Sequence, residues 1–329
     1  MKANATIIET SGLRRMFKGK NKGRGRGPSP DVEAVAGVDL RVEAGEIFGF
    51  LGPNGAGKTT TLRILSTLLA PTSGTARVAG FDVARQAVEV RRRIGYVAQA
   101  GGSYRESTGR EELVIQGRLF GMSKAEAGRR AEEILAALDL TEAGDRTCGT
   151  YSGGMRRRLN IGIGMVHRPE LLFLDEPTTG LDPQARARMW DEIRKLRKTG
   201  TTVFLTTHYL EEADALCDRL AIIDHGRIVA EGSPSDLKRQ IAGDVVTVGV
   251  NGHGDKVVKL LQAQPFVREA CLEDGLVRLY VDRGEEAVPS VLRLLDRNGL
   301  APSTMNLHRP SLDDVFLKKT GRSLRESAA

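Results

Sequence analysis

GPNGAGKTT, from Gly52 to Thr60, is the stretch on which the reading of the fold turns. Gly52, Gly57, Lys58 and Thr59 satisfy the phosphate-loop pattern G-x-x-x-x-G-K-[ST]. The chemistry demands that composition. Backbone N–H groups must face phosphate oxygens with no side chain in the way, so small residues occupy the turn. The lysine brings a cation to the β and γ phosphates, the threonine brings a hydroxyl to Mg²⁺, and the helix that follows adds its dipole. The flanks agree: EIFGFLG (Glu46 to Gly52) reads as a short apolar strand, and KTTTLRILSTLL (Lys58 to Leu69) has helical spacing at Leu62, Leu65 and Leu69. Gly52, Pro53, Asn54, Gly55, Ala56, Gly57, Lys58, Thr59 and Thr60 are therefore assigned to the phosphates of a nucleotide.

A magnesium–nucleotide site also needs an acid at the end of a neighbouring strand. LLFLDEP (Leu171 to Pro177) supplies two: Asp175 to hold Mg²⁺ through water, and Glu176 to polarise an attacking water. TVFLTT (Thr202 to Thr207) and LAIID (Leu220 to Asp224) are further apolar runs of strand length, interleaved with charged helical segments such as Ala185 to Lys198. This alternation predicts an α/β fold, a parallel sheet covered by helices. Glu111 to Ala137 is rich in Glu, Arg, Leu and Ala without a strand signal, and predicts a separate helical lobe. After about Ile241 the texture changes: DVVTVGV and LVRLYVD alternate, DKVVKLLQA and Ala287 to Asn298 read as helices, and a strand near Ser303 to Leu307 precedes a short helix from Leu312 to Lys319. The order strand, helix, strand, strand, helix, strand predicts a second, α+β domain of ferredoxin-like type.

The 329 residues give room for two domains. No window approaches the roughly 18 consecutive apolar residues of a membrane span, and the first residues show no secretory signal, so a cytoplasmic chain is expected. Cys148, Cys217 and Cys271 are far apart and form no C-x-x-C pair, so they are read as free thiols rather than a disulfide framework or zinc site. The net charge is +7, and much of it lies in KGKNKGRGRG (Lys18 to Gly27). Such a run cannot build a core; it reads as a solvated loop, with attraction to anionic lipid or nucleic acid as the sharper alternative.

The phosphate loop, YSGGM (Tyr151 to Met155), LLFLDEP, TGLDP (Thr179 to Pro183) and a lone His208 after FLTT come in an order that resembles the ATP-binding subunits of ABC transporters. The resemblance implies a P-loop NTPase domain of ABC type over 1–240, with a helical subdomain at about 100–168, and a C-terminal assembly or regulatory domain over 241–329. It implies ATP and Mg²⁺ as cofactors and a head-to-tail homodimer, in which Ser152, Gly153 and Gly154 meet the γ phosphate held by the other subunit's phosphate loop. A serine N-cap, glycines that permit close approach and a helix dipole suit that task. By the same resemblance Phe17 stacks on adenine, Gln99 senses Mg²⁺ and faces a permease, Glu176 is the catalytic base, Asp182 links the two sites, and His208 contacts the γ phosphate and attacking water. The remaining histidines, His167, His225, His253 and His308, match no position of the pattern.

Two features depart from the pattern. YSGGM stands where many members have LSGGQ, and the basic run follows Phe17 directly. In addition, Gly162 and Gly164 fall within the helix expected after the signature, each costing about 1 kcal/mol relative to alanine. YSGGMRRRL, TGREEL (Thr108 to Leu113), VHRPELLFLDEPTTGLDP (Val166 to Pro183) and PSLDDVFLKKTG (Pro310 to Gly321) are most similar to the daunorubicin/doxorubicin resistance type. That implies an ATPase driving drug efflux through a separate polytopic permease, bound peripherally at the cytoplasmic face of the plasma membrane, with no nucleic-acid partner. Two alternatives stand beside it: the ATPase of a lipid or polysaccharide exporter, and a soluble ABC ATPase acting on nucleic acid or ribosomes. A non-hydrolytic nucleotide sensor is disfavoured by Glu176 and His208.

Overall fold

The computed structural model describes residues 5–19, 30–99, 102–241, 243–250, 253–273 and 275–321. All but the first two residues of the basic run Lys18 to Gly27 lie outside these. The chain divides into two compact units, one up to Gly232 and one from Ser233.

The first unit opens with β1 (Thr6–Phe17) and β2 (Val32–Glu43), two long antiparallel strands, followed by β3 (Ile47–Leu51), α1 (Lys58–Leu65), β4 (Ser73–Val78), β5 (Phe81–Asp82), α2 (Ala87–Arg93) and β6 (Ile94–Val97). Three helices come next, α3 (Gly109–Leu119), α4 (Lys124–Ala137) and α5 (Gly153–Met165). Then follow β7 (Leu171–Asp175), α6 (Pro183–Lys198), β8 (Thr202–Thr207), α7 (Leu210–Leu216), β9 (Arg219–Asp224) and β10 (Arg227–Gly232). One sheet has the order β2-β1-β4-β5; the other has the order β10-β9-β3-β8-β7-β6 and is parallel except for its edge strand β10.

Every residue of β3, β7 and β8 is buried, the burial expected of parallel strands covered on both faces. Phe204 is the hub of the core: its ring lies 5.7 Å from those of Phe48 and Phe50 and 5.6 Å from that of Phe173. Burying each such side chain contributes about 1.5–3 kcal/mol. The parallel register pairs Leu51 with Thr207, and Asp175 with Thr206. The phosphate loop after β3, Glu176 after β7 and His208 after β8 therefore leave the same edge of the sheet, where α/β proteins place their ligands.

Helix α1 stops at Leu65, short of the expected Leu69, because Thr67 turns left-handed with φ of 64°. In the helical lobe, α3 and α4 start on reciprocal capping boxes, Thr108 with Glu111 and Ser123 with Glu126. Leu113, Ile134, Leu135, Tyr151 and Leu159 share its core. The glycines of α5 have a packing reason. A Cβ on Gly162 would lie 2.6 Å from Ile134 Cγ2, and one on Gly95 of β6 would lie 2.2 Å from the carbonyl oxygen of Gly164. Glycine is what lets α5 touch both α4 and the sheet.

The second unit contains α8 (Pro234–Arg239), β11 (Asp244–Val250), α9 (Gly254–Gln262), β12 (Val267–Glu273), β13 (Leu276–Val281), α10 (Gly284–Arg297), β14 (Pro302–His308) and α11 (Leu312–Thr320). Its antiparallel sheet has the order β12-β13-β11-β14, and Val246, Val248, Val277 and Leu279 meet Val257, Leu261, Val291 and Leu295 of α9 and α10 in one core. Element order and strand order together are ferredoxin-like. The units divide at 232/233 rather than at 240/241 because α8, capped by Ser233, packs on α11.

Helix propensity alone would make Gly162→Ala stabilising by about 1 kcal/mol. The contact with Ile134 reverses the sign: we expect a loss of about 1–3 kcal/mol from overpacking, seen as a lower urea midpoint at unchanged slope. A midpoint equal to or above that of the wild type would show that the lobe relaxes around the methyl group.

Candidate nucleotide site

The phosphate loop is held open by backbone constraints. Gly57, the N-cap of α1, has φ of 102°, and a Cβ there would lie 2.2 Å from the carbonyl oxygen of Ala34. Only glycine fits. The Lys58 side chain folds back over the loop, donating to the carbonyls of Gly52 (2.7 Å) and Pro53 (3.0 Å), and is 4% exposed. Asn54, Gly55, Gly57, Lys58, Thr59 and Thr60 line a cleft of about 380 Å³ that Gln99 and Glu176 complete. Ala56 is buried beneath it, and its carbonyl accepts from the Gly226 amide at 2.9 Å.

Two acids at the end of β7 face two tasks because the backbone turns between them. Glu176 has φ of 47°, a left-handed conformation costing a non-glycine residue about 1–3 kcal/mol. Its amide is held by Thr206, through the carbonyl at 3.2 Å and Oγ1 at 3.1 Å. Asp175, 2% exposed, accepts from Thr59 Oγ1 at 3.0 Å and from Thr206 Oγ1 at 2.7 Å. A hydroxyl and a carboxylate so placed suit a hard cation with oxygen ligands.

The Glu176 carboxylate is gripped from four sides. Oε2 accepts from Gln99 Nε2 at 3.0 Å and Thr179 Oγ1 at 3.1 Å; Oε1 stands 3.4 Å from Lys58 Nζ and 3.3 Å from His208 Nδ1. Burial pushes its pKa up, but the hydrogen bonding to His208 and the charge of Lys58 outweigh that and hold it at about 2. Burial pushes the Lys58 ammonium below its ordinary range, and the neighbouring Glu176 and Asp175 oppose that shift.

The structure brings Gln99, Glu176, His208, Asp175, Lys58 and Thr59 together. It does not bring the signature residues there. Ser152, Gly153, Gly154 and Asp182 line a second cleft of about 320 Å³, which shares no lining residue with the first. Ser152 caps α5, its Oγ accepting from the Met155 amide at 3.2 Å; Asp182 caps α6, accepting from Ala185 at 2.8 Å. Phe17, 39% exposed, lies at the end of β1 under the Arg15 guanidinium, 4.8 Å from its ring centre, and is not among the residues lining either cleft.

Both substitutions in YSGGM have a local account. Tyr151 is buried in the lobe core and donates to the Ala143 carbonyl at 2.6 Å. Met155, partly buried, packs against the same core. Sequence reasoning missed Thr206, Thr179 and Arg157. Arg157 carried a signal: it begins the buried stripe Arg157, Ile161, Gly164 and Met165 along α5.

Because Glu176 ionises at about 2 in the fold against 4.5 for an ordinary glutamate, its charge stabilises the fold fully above pH 4.5, and that contribution is lost as pH falls through about 2. Urea unfolding of wild type and Glu176→Gln should show a stability gap that closes on acidification over this window. A gap independent of pH would contradict the pairing.

Residues 35–179 match the family model for ABC transporters, and residues 232–320 match that for the C-terminal domain of DrrA1-3-like ATP-binding proteins. The daunorubicin resistance ATP-binding protein DrrA3 of Streptomyces coeruleorubidus is 45% identical over 91% of this chain and 95% of its own length. The daunorubicin/doxorubicin resistance ATP-binding protein DrrA of Streptomyces peucetius is 44% identical over 98% of this chain and 96% of its own. An ATP-binding cassette solved as a dimer in a post-hydrolysis state with ADP and Pi shares the fold, with a TM-score of 0.61 at 24% identity over 69% of this chain and 98% of that one. With a phosphate loop, paired acids and a histidine gathered on one sheet edge, and relatives this close along nearly its whole length, the chain belongs to the ATP-binding, ATP-hydrolysing subunits of ABC transporters, in the branch that carries the DrrA-type C-terminal domain.

Proposed function

We propose that the chain powers export of an anthracycline-like drug or antibiotic through a separate polytopic permease, and so confers resistance. The observation that carries this reading is the near full-length similarity to daunorubicin and doxorubicin resistance proteins. Among the described residues no helix is long and apolar enough to cross a membrane. In this reading the path for cargo belongs to another polypeptide, and the subunit associates with it peripherally, at the cytoplasmic face. The C-terminal unit serves assembly or regulation.

Hydrolysis follows from the cleft. The γ phosphate of ATP competes with Glu176 for Lys58 and His208, so binding substrate loosens the grip on the carboxylate and raises its basicity toward a useful range. Glu176 then takes a proton from the attacking water, and His208 steadies the γ phosphate. Thr59 and Asp175 would hold Mg²⁺, with Gln99 beside them, and the ion would supply positive charge against the phosphate oxygens. The separateness of the two clefts supports a head-to-tail homodimer, in which Ser152, Gly153 and Gly154 of one subunit close over ATP bound by the other and Asp182 links the two sites. Phe17, at the end of its strand, stacks on the adenine.

Glu176→Gln should hydrolyse ATP at least about 10²-fold more slowly while still binding it. The same variant, tagged and recovered with ATP from detergent-solubilised native membranes, should bring a polytopic membrane protein with it in stoichiometric amount. Recovery of nucleic acid or ribosomal proteins instead would overturn the exporter reading. Ser152→Arg should abolish the ATP-dependent dimer by light scattering; a normal dimer would refute the head-to-tail arrangement.

A further inference from the structure

Three arginines follow the signature, and each goes somewhere different. Arg156 is exposed, and Arg158 donates to the carbonyl of Leu138 at 2.7 Å within the helical lobe. Arg157 is 8% exposed and points out of the lobe into the sheet edge. Its Nε donates to the Pro177 carbonyl at 2.8 Å, Nη1 to those of Ala98 (2.7 Å) and Gln99 (3.3 Å), and Nη2 to those of Asp175 (2.9 Å) and Glu176 (3.1 Å). That uses all of the N–H donors a guanidinium possesses. Burial disfavours its charge, and the carboxylates of Asp175, Glu212 and Glu176 act against that through space. A buried cation whose every N–H is spent on main-chain carbonyls is costly to desolvate, and it keeps those bonds only while each acceptor stays in register.

The acceptors are the informative part. They belong to two backbone segments, the one that presents the Gln99 amide and the one that sets the left-handed turn at Glu176. The donor belongs to the second turn of the helix whose first residues are Ser152 to Gly154. A rigid planar fork thus connects one cleft to the other through main chain alone.

We propose that Arg157 is a positioning residue of the hydrolytic reaction, which ties the signature helix to the backbone that aims Gln99 and Glu176 and so couples the two ATP sites of the dimer. The proposal rests on the head-to-tail reading given above. When the partner's ATP draws Ser152 to Gly154 toward it, α5 carries Arg157 with it, and the carbonyls at 98–99 and 175–177 follow. Glu176 in one subunit then reaches its working geometry only when the signature of that same subunit is engaged. An arginine that merely filled space would leave catalysis at the two sites independent.

The test uses the full chain with Arg157→Met and Arg157→Lys, and compares binding of a fluorescent ATP analogue at low protein concentration with steady-state ATPase titrations. We expect nucleotide affinity of the monomer within about twofold of wild type, a kcat lower by about 10²-fold in Arg157→Met, and a Hill coefficient falling toward 1. Arg157→Lys, which keeps the charge but loses the fork, should fall between. Wild-type kcat and cooperativity in Arg157→Met would overturn the proposal. So would a loss of binding in proportion to a lowered melting temperature, or failure of both variants to fold, since each describes a purely structural arginine. Light scattering of Glu176→Gln with ATP reads the dimer separately. A persistent monomer there removes the head-to-tail reading, and the coupling with it. A dimer alongside unchanged Arg157→Met kinetics removes the coupling only.

Discussion

The site exists because three parallel strands, β3, β7 and β8, are hydrogen-bonded in one register and end together. Parallel pairing offers no short hairpin to fix that register; it is set by the burial of every side chain on both faces, with Phe204 against Phe48, Phe50 and Phe173. Slipping one strand by a residue would reverse its faces and move Lys58, Asp175 or His208 by about 3.3 Å along the strand direction. The geometry of the candidate site is therefore a by-product of core packing. Polar contacts such as Thr206 with Asp175 trim it; they do not create it.

Much of this was legible in the sequence, for physical reasons. Fully buried parallel strands read as unbroken apolar runs, and the phosphate loop, the paired acids and His208 sit directly after such runs, so their gathering at one edge could be anticipated. The ferredoxin-like unit announced itself through clean alternation in DVVTVGV and LVRLYVD. The antiparallel sheet formed by β1 and β2 did not. Gly12 has φ of 54°, and the register between the two strands shifts repeatedly, which breaks the period-two signal that alternation relies on. The early end of α1 was hidden for a similar reason: a left-handed threonine carries no compositional mark.

Charge alone carried little information. Arg156, Arg157 and Arg158 are alike in sequence, yet Arg156 is exposed while Arg157 donates to carbonyls through all three of its nitrogens. The two letters by which YSGGM departs from the pattern take part in packing: Tyr151 is buried in the lobe core and Met155 packs partly against it, beside Ser152 and the glycines in their cleft. Phe17 was named by pattern alone; among the described residues its ring lies under the Arg15 guanidinium.

The close approach of Gly164 to Gly95 has a mechanical consequence. Most helix–sheet contacts are cushioned by side chains that absorb a small displacement by changing rotamer. Where a carbonyl rests on an α-carbon nothing is left to deform, so α5 and β6 behave at that point like two parts of one casting. Push on the start of the helix, and the strand that runs into Gln99 receives the displacement with little slack.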